Sequence, residues 1–361
     1  MSERIVLLAN NIDEIGGAQR VVHALASGFA ERGHDVTVIG IEPRDPRLDL
    51  SQAHYRVERL LEAAYEKEEG PELQAQQAAA RLKLQSILDS GPRGIIITAQ
   101  VWAMEHVAQC AIDGWRTIGQ YHSSFQAARF GPNLQRVLDA YRGSDLFLAL
   151  TAADAALFTK AGLNNASAMP NPLASWPEHR AHADSRTITY LGRFSAEKAP
   201  MTLMHAWRIL NEEGLLPDWD LQFVGSGPHE GQLREAAAVL PRVQVRDQVA
   251  DPYSVLTETG ILAVPSLVEG LPLVMMEALA CGVPVVASDC SAGVRELLAA
   301  ETCGVLVNRG DSADLARGLD VLGTDAQLRA DMAALGPARM QEYQLSHVLE
   351  LWEQCFRNVL R

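Results

Sequence analysis

The chain of 361 residues has few cysteines, fewer basic than acidic residues and no long apolar run. It has 31 lysines and arginines but 45 acidic residues, and the resulting net charge of −14 disfavours non-specific nucleic-acid binding. No apolar run approaches the roughly 18–20 residues that a membrane-spanning helix needs. Five cysteines without C-x-x-C spacing, and ten scattered histidines, indicate reduced thiols and no zinc site.

The start of the chain also lacks the basic, apolar and cleavable pattern of a secretory signal, so we expect a cytoplasmic protein. The composition is otherwise that of an ordinary globular chain, with 48% hydrophobic and 21% charged residues. At about 150 residues per domain, the length predicts two domains.

Short continuous apolar runs, typical of parallel strands covered on both faces, alternate with helical patterns in each half of the chain. The strands predicted in the first half are 5–9, 36–41, 94–98, 116–119, 146–150 and 166–170. Those predicted in the second half are 187–191, 221–224, 243–245, 260–264, 284–287 and 304–307. The helices predicted are 21–29, one or two within 44–92 that include 72–88, and several over 312–361.

This alternation predicts an α/β protein with two doubly wound, Rossmann-like parallel sheets. The predicted domains are residues 1–170 and 186–336, joined by a linker or hinge at 171–185 that has little apolar periodicity. Because ligands of such sheets bind beyond the carboxyl ends of the strands, we expect the two domains to face a cleft that holds the site.

The stretch from Glu269 to Glu277 places two carboxylates eight positions apart, in a loop that enters a helix. Gly270 permits a left-handed backbone, and Pro272 suits the first turn of a helix. The amides of that turn can hold anionic oxygens, and the helix dipole adds to the attraction. Either glutamate alone is more often a surface or helix acid, but the whole string indicates a binding loop.

Arg193 and Lys198 lie five positions apart in the loop after the first strand of the second half. A planar guanidinium and a point-charge ammonium at that place can clamp a diphosphate. Two solvated surface cations are the alternative interpretation.

Two glycine-containing loops follow strands and let a ligand approach the backbone closely. Gly16 and Gly17 lie between the first strand and the first helix, without the G-x-G-x-x-G spacing of dinucleotide enzymes. Gly225 and Ser226 follow the strand 221–224, and we include them among the ligand-contacting residues.

His122 follows the strand 116–119, where a polar side chain suits a binding site, although a structural histidine is the common alternative. Asp218 and Asp220 match a metal-binding D-x-D pattern. They precede the strand 221–224, at the end away from the expected site, so we expect no metal there.

Glu269 to Glu277 resembles the E-x7-E motif of the retaining glycosyltransferases of family 4, which have the GT-B fold. Other segments match that family in order and spacing, and the resemblance extends over essentially the whole chain. These segments are Gly16-Gly17, the 192–198 loop, Pro265-Ser266 and the 277–287 run.

The resemblance implies that the second domain holds a nucleotide-activated sugar, with a UDP-sugar favoured, and that no metal or other cofactor takes part. Arg193 and Lys198 would neutralise the diphosphate leaving group. Glu277 would bind the ribose, and Glu269 would contact the transferred sugar. The neighbouring donor-binding backbone would be that of Gly270, Leu271, Pro272 and Leu273.

The resemblance also assigns roles to the first domain. Gly16 and Gly17 would close on the diphosphate, and His122 matches a histidine that contacts the sugar region in relatives. Family members end in a helix that crosses back to the first domain, which residues 337–361 would supply.

We expect the acceptor side in the first domain, above all in 44–92 and 120–135. The acidic run 62–72 and the sparse basic residues around it predict at most weak peripheral membrane association. A hydroxyl acceptor in a bacterial cell-wall polymer or a secondary metabolite fits equally. The alternatives are a nucleotide-sugar-binding protein without turnover and another GT-B enzyme, such as an epimerase or phosphorylase. The oligomeric state is left open.

Overall fold

A computed structural model describes residues 2–14, 16–44, 49–65, 70–130, 133–298 and 302–361. The chain divides into two compact units, one of Met1–Ala174 with Leu345–Arg361 and one of Ser175–Gln344. The division after Ala174 falls inside the segment 171–185 that the sequence predicts as the linker.

The first unit contains a seven-stranded parallel sheet. Its strands are β1 (Arg4–Ala9), β2 (Asp35–Gly40), β3 (Arg56–Arg59), β4 (Ile95–Thr98), β5 (Arg116–Tyr121), β6 (Leu146–Ala149) and β7 (Ala166–Ala168). Its first six helices are α1 (Gly17–Glu31), α2 (Pro71–Asp89), α3 (Val101–Val107), α4 (Phe125–Arg129), α5 (Asn133–Tyr141) and α6 (Ala152–Lys160). The spatial order β3-β2-β1-β4-β5-β6-β7 is doubly wound, because the chain reverses its direction of travel between β3 and β4.

Continuous apolar sequence forms the centre of this sheet because its faces are covered. Every residue of β1 and of β4 is buried, and the two strands pair in parallel with Ile5 opposite Ile95. Beside them, Phe147 packs on Tyr141 and Phe158 with ring centroids 5.0 and 4.9 Å apart. The predicted strands of the first half are therefore confirmed.

Strand β3 is an addition to the predicted set, because the sequence pattern of 44–92 predicts only helices. β3 pairs with β2 at the edge of the sheet and is only half-buried. Its sequence, Arg-Val-Glu-Arg, has one apolar residue, Val57, so apolar periodicity gives no sign of it. The predicted helix 72–88 is present as α2.

Arg4 fixes the C-terminal end of α2 against β1. Its guanidinium donates to the carbonyl oxygens of Ile87 at 2.6 Å, Leu88 at 3.2 Å and Pro92 at 3.0 Å, and it lies over the Trp115 ring at 5.1 Å. We expect Arg4→Ala to lower the free energy of unfolding by about 2–4 kcal/mol, because buried carbonyl groups lose their donor. Urea unfolding measures it. Arg4→Lys should recover part of the loss, and a loss under about 0.5 kcal/mol in Arg4→Ala would contradict the assignment.

The second unit contains a six-stranded parallel sheet in the order β10-β9-β8-β11-β12-β13. Its strands are β8 (Thr187–Leu191), β9 (Asp220–Val224), β10 (Val243–Arg246), β11 (Ile261–Val264), β12 (Val285–Ser288) and β13 (Gly304–Val307). Its helices are α7 (Pro200–Glu212), α8 (Glu230–Ala237), α9 (Tyr253–Leu256), α10 (Leu273–Cys281), α11 (Ala292–Leu298), α12 (Ser312–Thr324) and α13 (Ala326–Arg339). All six strands were predicted from the sequence, and the central pair, β8 and β11, brings the loops that follow them side by side.

The region predicted as one helix over 337–361 is divided in the structure. Pro337 lies inside α13, a 3-10 turn spans Met340–Tyr343, and α14 spans Leu345–Val359. The division falls at Gln344, whose ψ of 141° is extended and ends the 3-10 turn.

Helix α14 packs within the first unit, on α1. Trp352 and Phe356 contact Phe29 with ring centroids 6.1 and 5.2 Å apart, and Arg32 lies 3.2 Å from Glu353. Among the described residues, no helix is both long enough and apolar enough to cross a membrane.

Candidate functional site

A buried carboxylate stands at the carboxyl edge of the second sheet. β11 ends at Val264, and in the loop that follows Glu269 is only 7% exposed. The Ser266 hydroxyl donates to its Oε1 at 2.7 Å, and Lys198 Nζ lies 2.7 Å from its Oε2. A carboxylate buried with two donors keeps a defined orientation, and one of those donors carries a positive charge.

The loop after Glu269 leads into α10, which begins at Leu273. Ser291 donates to the Gly270 carbonyl oxygen at 3.2 Å, and a Cβ on Gly293 would lie 2.0 Å from that oxygen. The glycine therefore lets α11 support the loop closely. With Pro272 as N-cap, the first turn of α10 faces the loop with the positive end of its dipole.

Glu277 lies on α10, just beyond its first turn, and is 3% exposed. The sequence prediction of a carboxylate at either end of this stretch is thus matched by two buried side chains rather than by surface acids. A buried thiol, Cys290, stands nearby: burial raises its pKa to about 12, and the Glu269 charge acts in the same direction. That thiol stays protonated at neutral pH.

The loop that carries Arg193 and Lys198 is joined to the Glu269 loop through the backbone. Leu267 N–H donates to the Glu197 carbonyl oxygen at 2.8 Å, and the Tyr190 hydroxyl donates to the Arg193 carbonyl oxygen at 2.6 Å. Burial raises the pKa of that phenol, and the Glu269 charge raises it further. Lys198 reaches Glu269, whereas the Arg193 side chain is exposed.

The glycine loop after β9 lies against the same loop. Phe194 N–H donates to the Ser226 carbonyl oxygen at 2.7 Å. Gly225 has a φ of 155°, and a Cβ there would lie 2.0 Å from the Gly192 carbonyl oxygen. Only glycine allows this approach. The Ser226 hydroxyl donates to Gln248 Oε1 at 3.0 Å.

In the first unit, Gly16 caps α1 and Gly17 is its first residue. Two interactions that sequence reasoning missed fix the preceding loop. Asp13, fully buried, accepts from Arg59 Nε at 3.2 Å through both carboxylate oxygens. His23 Nε2 lies 2.8 Å from the Ile12 carbonyl oxygen. Arg59 belongs to the missed strand β3, so the pattern gave no signal for the pair.

His122 follows β5 and is oriented by Asn171, which follows β7. Its Nδ1 lies 3.0 Å from Asn171 Oδ1, an acceptor, so Nδ1 carries the proton and Nε2 presents a lone pair. Within the described part of the chain, Nε2 is buried and has no hydrogen-bond partner. Burial lowers the pKa of His122 to about 4, against the opposing effect of Asn171. The ring is therefore a neutral acceptor at pH 7.

The low pKa of His122 predicts an acid-sensitive stability. Between pH 6.5 and 4 the unfolded chain binds a proton at this position that the folded chain does not, so folding weakens as the pH falls. From pH 7 to 5 the contribution lost is about 2 kcal/mol. Urea unfolding at both pH values measures the free energy of unfolding. Between pH 7 and pH 5 it should fall by about 2 kcal/mol more in the wild type than in His122→Gln. Equal drops would contradict a buried neutral ring.

The D-x-D pattern has a structural use at the opposite edge of the sheet. Asp218 accepts from Arg186 at 2.9 Å, and Asp220 begins β9 at its amino end. Within the described ranges, no group of three or more His, Cys, Asp or Glu side chains is placed to hold a metal ion.

Two family models match the two halves of the chain. Residues 15–173 match the model described as Glycosyltransferase Family 4, and residues 185–325 match the one described as Glycosyl transferases group 1. An uncharacterised glycosyltransferase of Haemophilus influenzae is 26% identical over 359 residues, which cover 97% of this chain and 99% of the relative. The amylovoran biosynthesis glycosyltransferase AmsD of Erwinia amylovora is 22% identical, with 97% and 98% covered.

Solved structures share the fold of the whole chain. Anabaena HepE, crystallised with UDP and glucose, has a TM-score of 0.81 at 19% identity, covering 98% of this chain and 100% of its own. TarM has a TM-score of 0.83 at 12% identity, with 99% of each chain covered. The predicted fold class, two Rossmann-like parallel-sheet domains of the GT-B type, is confirmed.

Proposed function

We propose, on the premise that the chain belongs to the glycosyltransferases that these two family models describe, that it transfers a sugar from a UDP-sugar to a hydroxyl acceptor. The two matches agree with the glycosyltransferase part of the resemblance seen in the sequence, and they make the chain a hexosyltransferase-type enzyme. The preference for UDP is supported by HepE, which has been crystallised with UDP and with UDP-glucose.

The departing diphosphate is stabilised by Lys198, Arg193 and the first turn of α10. Negative charge develops on the leaving oxygen as the glycosidic bond lengthens, and fixed cations and helix amides lower the barrier by meeting that charge. Lys198 Nζ lies 2.7 Å from Glu269 Oε2 in the structure. Donor binding would thus exchange one anionic partner of Lys198 for another, at little cost in desolvation.

Glu269 acts on the transferred sugar. Its carboxylate accepts hydrogen bonds from sugar hydroxyls and lies near the positive charge that develops at the anomeric carbon. The Ser266 hydroxyl donates to one of its two oxygens and so fixes its orientation. Glu277 binds the ribose hydroxyls of the donor. Backbone groups of two loops complete the donor contacts, and they belong to Gly225, Ser226, Gly270, Leu271, Pro272 and Leu273.

The first unit contributes Gly16, Gly17 and His122. The amides at the start of α1 bind the diphosphate, as a helix N-terminus favours an anion. His122 Nε2 accepts a hydrogen bond from a hydroxyl of the sugar, which would give a partner to this buried atom.

We further propose that transfer retains the anomeric configuration and needs no divalent metal or other cofactor, since cations of the chain itself meet the diphosphate charge. The protein would work in the cytoplasm, with at most weak peripheral membrane association and no nucleic-acid partner. The acceptor hydroxyl belongs to a glycan, a polymer such as a bacterial cell-wall polymer, or a small molecule such as a secondary metabolite.

The observation that carries this proposal is the buried Glu269 carboxylate, which contacts Ser266 and Lys198 in the loop that leads into α10. The test is incubation with UDP-glucose, UDP-galactose or UDP-N-acetylglucosamine and simple glycoside acceptors, with and without EDTA, followed by proton NMR of the anomeric signal. We expect an α-linked product from these α-configured donors at an EDTA-independent rate. A β-linked product would contradict retention, and loss of activity in EDTA would contradict metal independence.

A further inference from the structure

Five residues form one connected cluster at the carboxyl edge of the first sheet, and the proposed function leaves them unused. Three of them follow strands: Asn10 after β1, Glu42 after β2 and Gln100 after β4. The other two are the neighbouring aromatic residues Tyr65 and Trp102. Asn10 N–H donates to Gln100 Oε1 at 2.7 Å, and Glu42 N–H donates to the Asn10 carbonyl oxygen at 3.0 Å. Tyr65 N–H donates to Glu42 Oε2 at 3.1 Å, and the Tyr65 and Trp102 rings are 5.1 Å apart. We call this set the edge cluster.

The edge cluster contains a polar atom without a partner. Asn10 Oδ1 is buried, and among the described residues nothing donates to it. A buried acceptor that lacks a donor destabilises the folded state, so its presence needs an explanation. A hydroxyl group of a ligand would supply the missing donor.

The aromatic side of the edge cluster is held rigidly. His106 Nδ1 donates to the Trp102 carbonyl oxygen at 3.0 Å, so its Nε2 accepts from the Tyr65 hydroxyl, also at 3.0 Å. Tyr65 and Trp102 pack against the core of the first unit, and both residues are partly exposed. Two aromatic side chains beside polar groups suit the apolar face of a sugar ring whose hydroxyls are hydrogen-bonded.

The charge of the edge cluster decides between classes of ligand. The Glu42 carboxylate, 8% exposed, accepts from Tyr65 N–H and from Arg44, and an ionised carboxylate has about four lone-pair sites in all. Its other sites and Asn10 Oδ1 all accept hydrogen bonds. Such an arrangement favours a ligand that brings hydroxyl donors over an anionic phosphate, because the positive charge of Arg44 is already paired with Glu42.

We propose that the edge cluster is the acceptor subsite and that the acceptor is a saccharide. Its hydroxyls bond to Asn10 Oδ1 and the Glu42 carboxylate, and its ring packs on Trp102 and Tyr65. The inference rests on the proposed function for the transfer step, and adds to it the class of the accepting group.

The test uses Asn10→Leu and Trp102→Leu in the full chain, with Trp176→Leu, an exposed tryptophan of the second unit, as the matched control. The acceptors are the methyl glycosides of glucose, galactose, mannose and N-acetylglucosamine, each with three UDP-sugars. We expect both edge-cluster variants to raise the acceptor KM about 10-fold or more. Hydrolysis of the UDP-sugar by water, and the Tm shift caused by UDP, should stay at wild-type values.

Asn10→Leu carries a second signature that separates a binding role from a structural one. Leucine has nearly the shape of asparagine and removes the unpartnered acceptor, so the Tm should stay equal or rise while the acceptor KM rises. A structural asparagine would give the reverse, a lower Tm with an unchanged KM.

Unchanged acceptor KM in both edge-cluster variants would overturn the inference. So would a wild type that hydrolyses a UDP-sugar but ignores all four glycosides and glycosylates a lipid in phosphatidylglycerol vesicles instead. If the wild type neither binds nor hydrolyses any UDP-sugar, the proposed function fails separately. Saturation-transfer NMR of the four methyl glycosides then decides the subsite alone: signals in the wild type that Asn10→Leu loses support it, and any other pattern overturns it.

Discussion

Glu269→Gln should lower kcat by about 100-fold and leave the dissociation constant of the donor within about 3-fold of the wild type. The amide keeps the shape of the side chain but loses the negative charge that would face the developing positive charge on the sugar. It also ends the ion pair with Lys198, 2.7 Å away, whose attraction for a diphosphate is then no longer opposed. Initial rates and calorimetric donor binding measure the two effects separately.

The matched control is Glu258→Gln, an exposed acid of the same unit whose carboxylate lies 3.3 Å from His182. It should change neither kcat nor donor affinity. If Glu269→Gln instead abolishes donor binding while residual turnover stays high, the roles of Glu269 and Glu277 are exchanged.

Lys198→Ala should lower kcat/KM by about 10–100-fold, since it removes a charge-assisted contact worth roughly 1.5–3 kcal/mol. Much of the loss should lie in kcat, because the ammonium interacts most strongly with the diphosphate as it departs. The variant also removes the cation beside the buried Glu269 carboxylate, which still accepts from the Ser266 hydroxyl, so the Tm should fall. Steady-state kinetics below the Tm of the variant separates the catalytic loss from the loss of stability.

Lys198→Arg, which keeps the positive charge, should recover more activity than Lys198→Ala. Lys160→Ala, at the end of α6 in the first unit, should match the wild type. Wild-type kinetics in a folded Lys198→Ala protein would remove this residue from the site.

The strands of both sheets could be predicted from the sequence because buried parallel strands are continuous apolar runs, as β1 and β11 are. β3 could not, because an edge strand needs little apolar sequence, and Val57 alone gives no period. The Asp13–Arg59 ion pair could not be predicted for the same reason, because Arg59 belongs to β3.

The loops of the candidate site could be predicted because each follows a strand and contains a glycine, a cation or a carboxylate. Their contacts could not. Lys198 reaches Glu269 only because β8 pairs with β11 in the sheet, a neighbour relation that local pattern does not encode. Asn171 likewise orients His122 from 49 positions away. Partners of this kind depend on strand order, which is fixed by the packing of the whole unit.

The most direct test of the central claim, that the second unit binds a nucleotide sugar through Lys198 and its neighbours, is a thermal-shift panel without added metal. The wild type and Lys198→Ala are each measured with UDP-, GDP-, ADP- and dTDP-sugars. Because a ligand that binds the folded state raises the Tm by mass action, we expect a selective shift with UDP-sugars that is smaller in Lys198→Ala. No shift with any of the four, or an equal shift in both proteins, would contradict the claim.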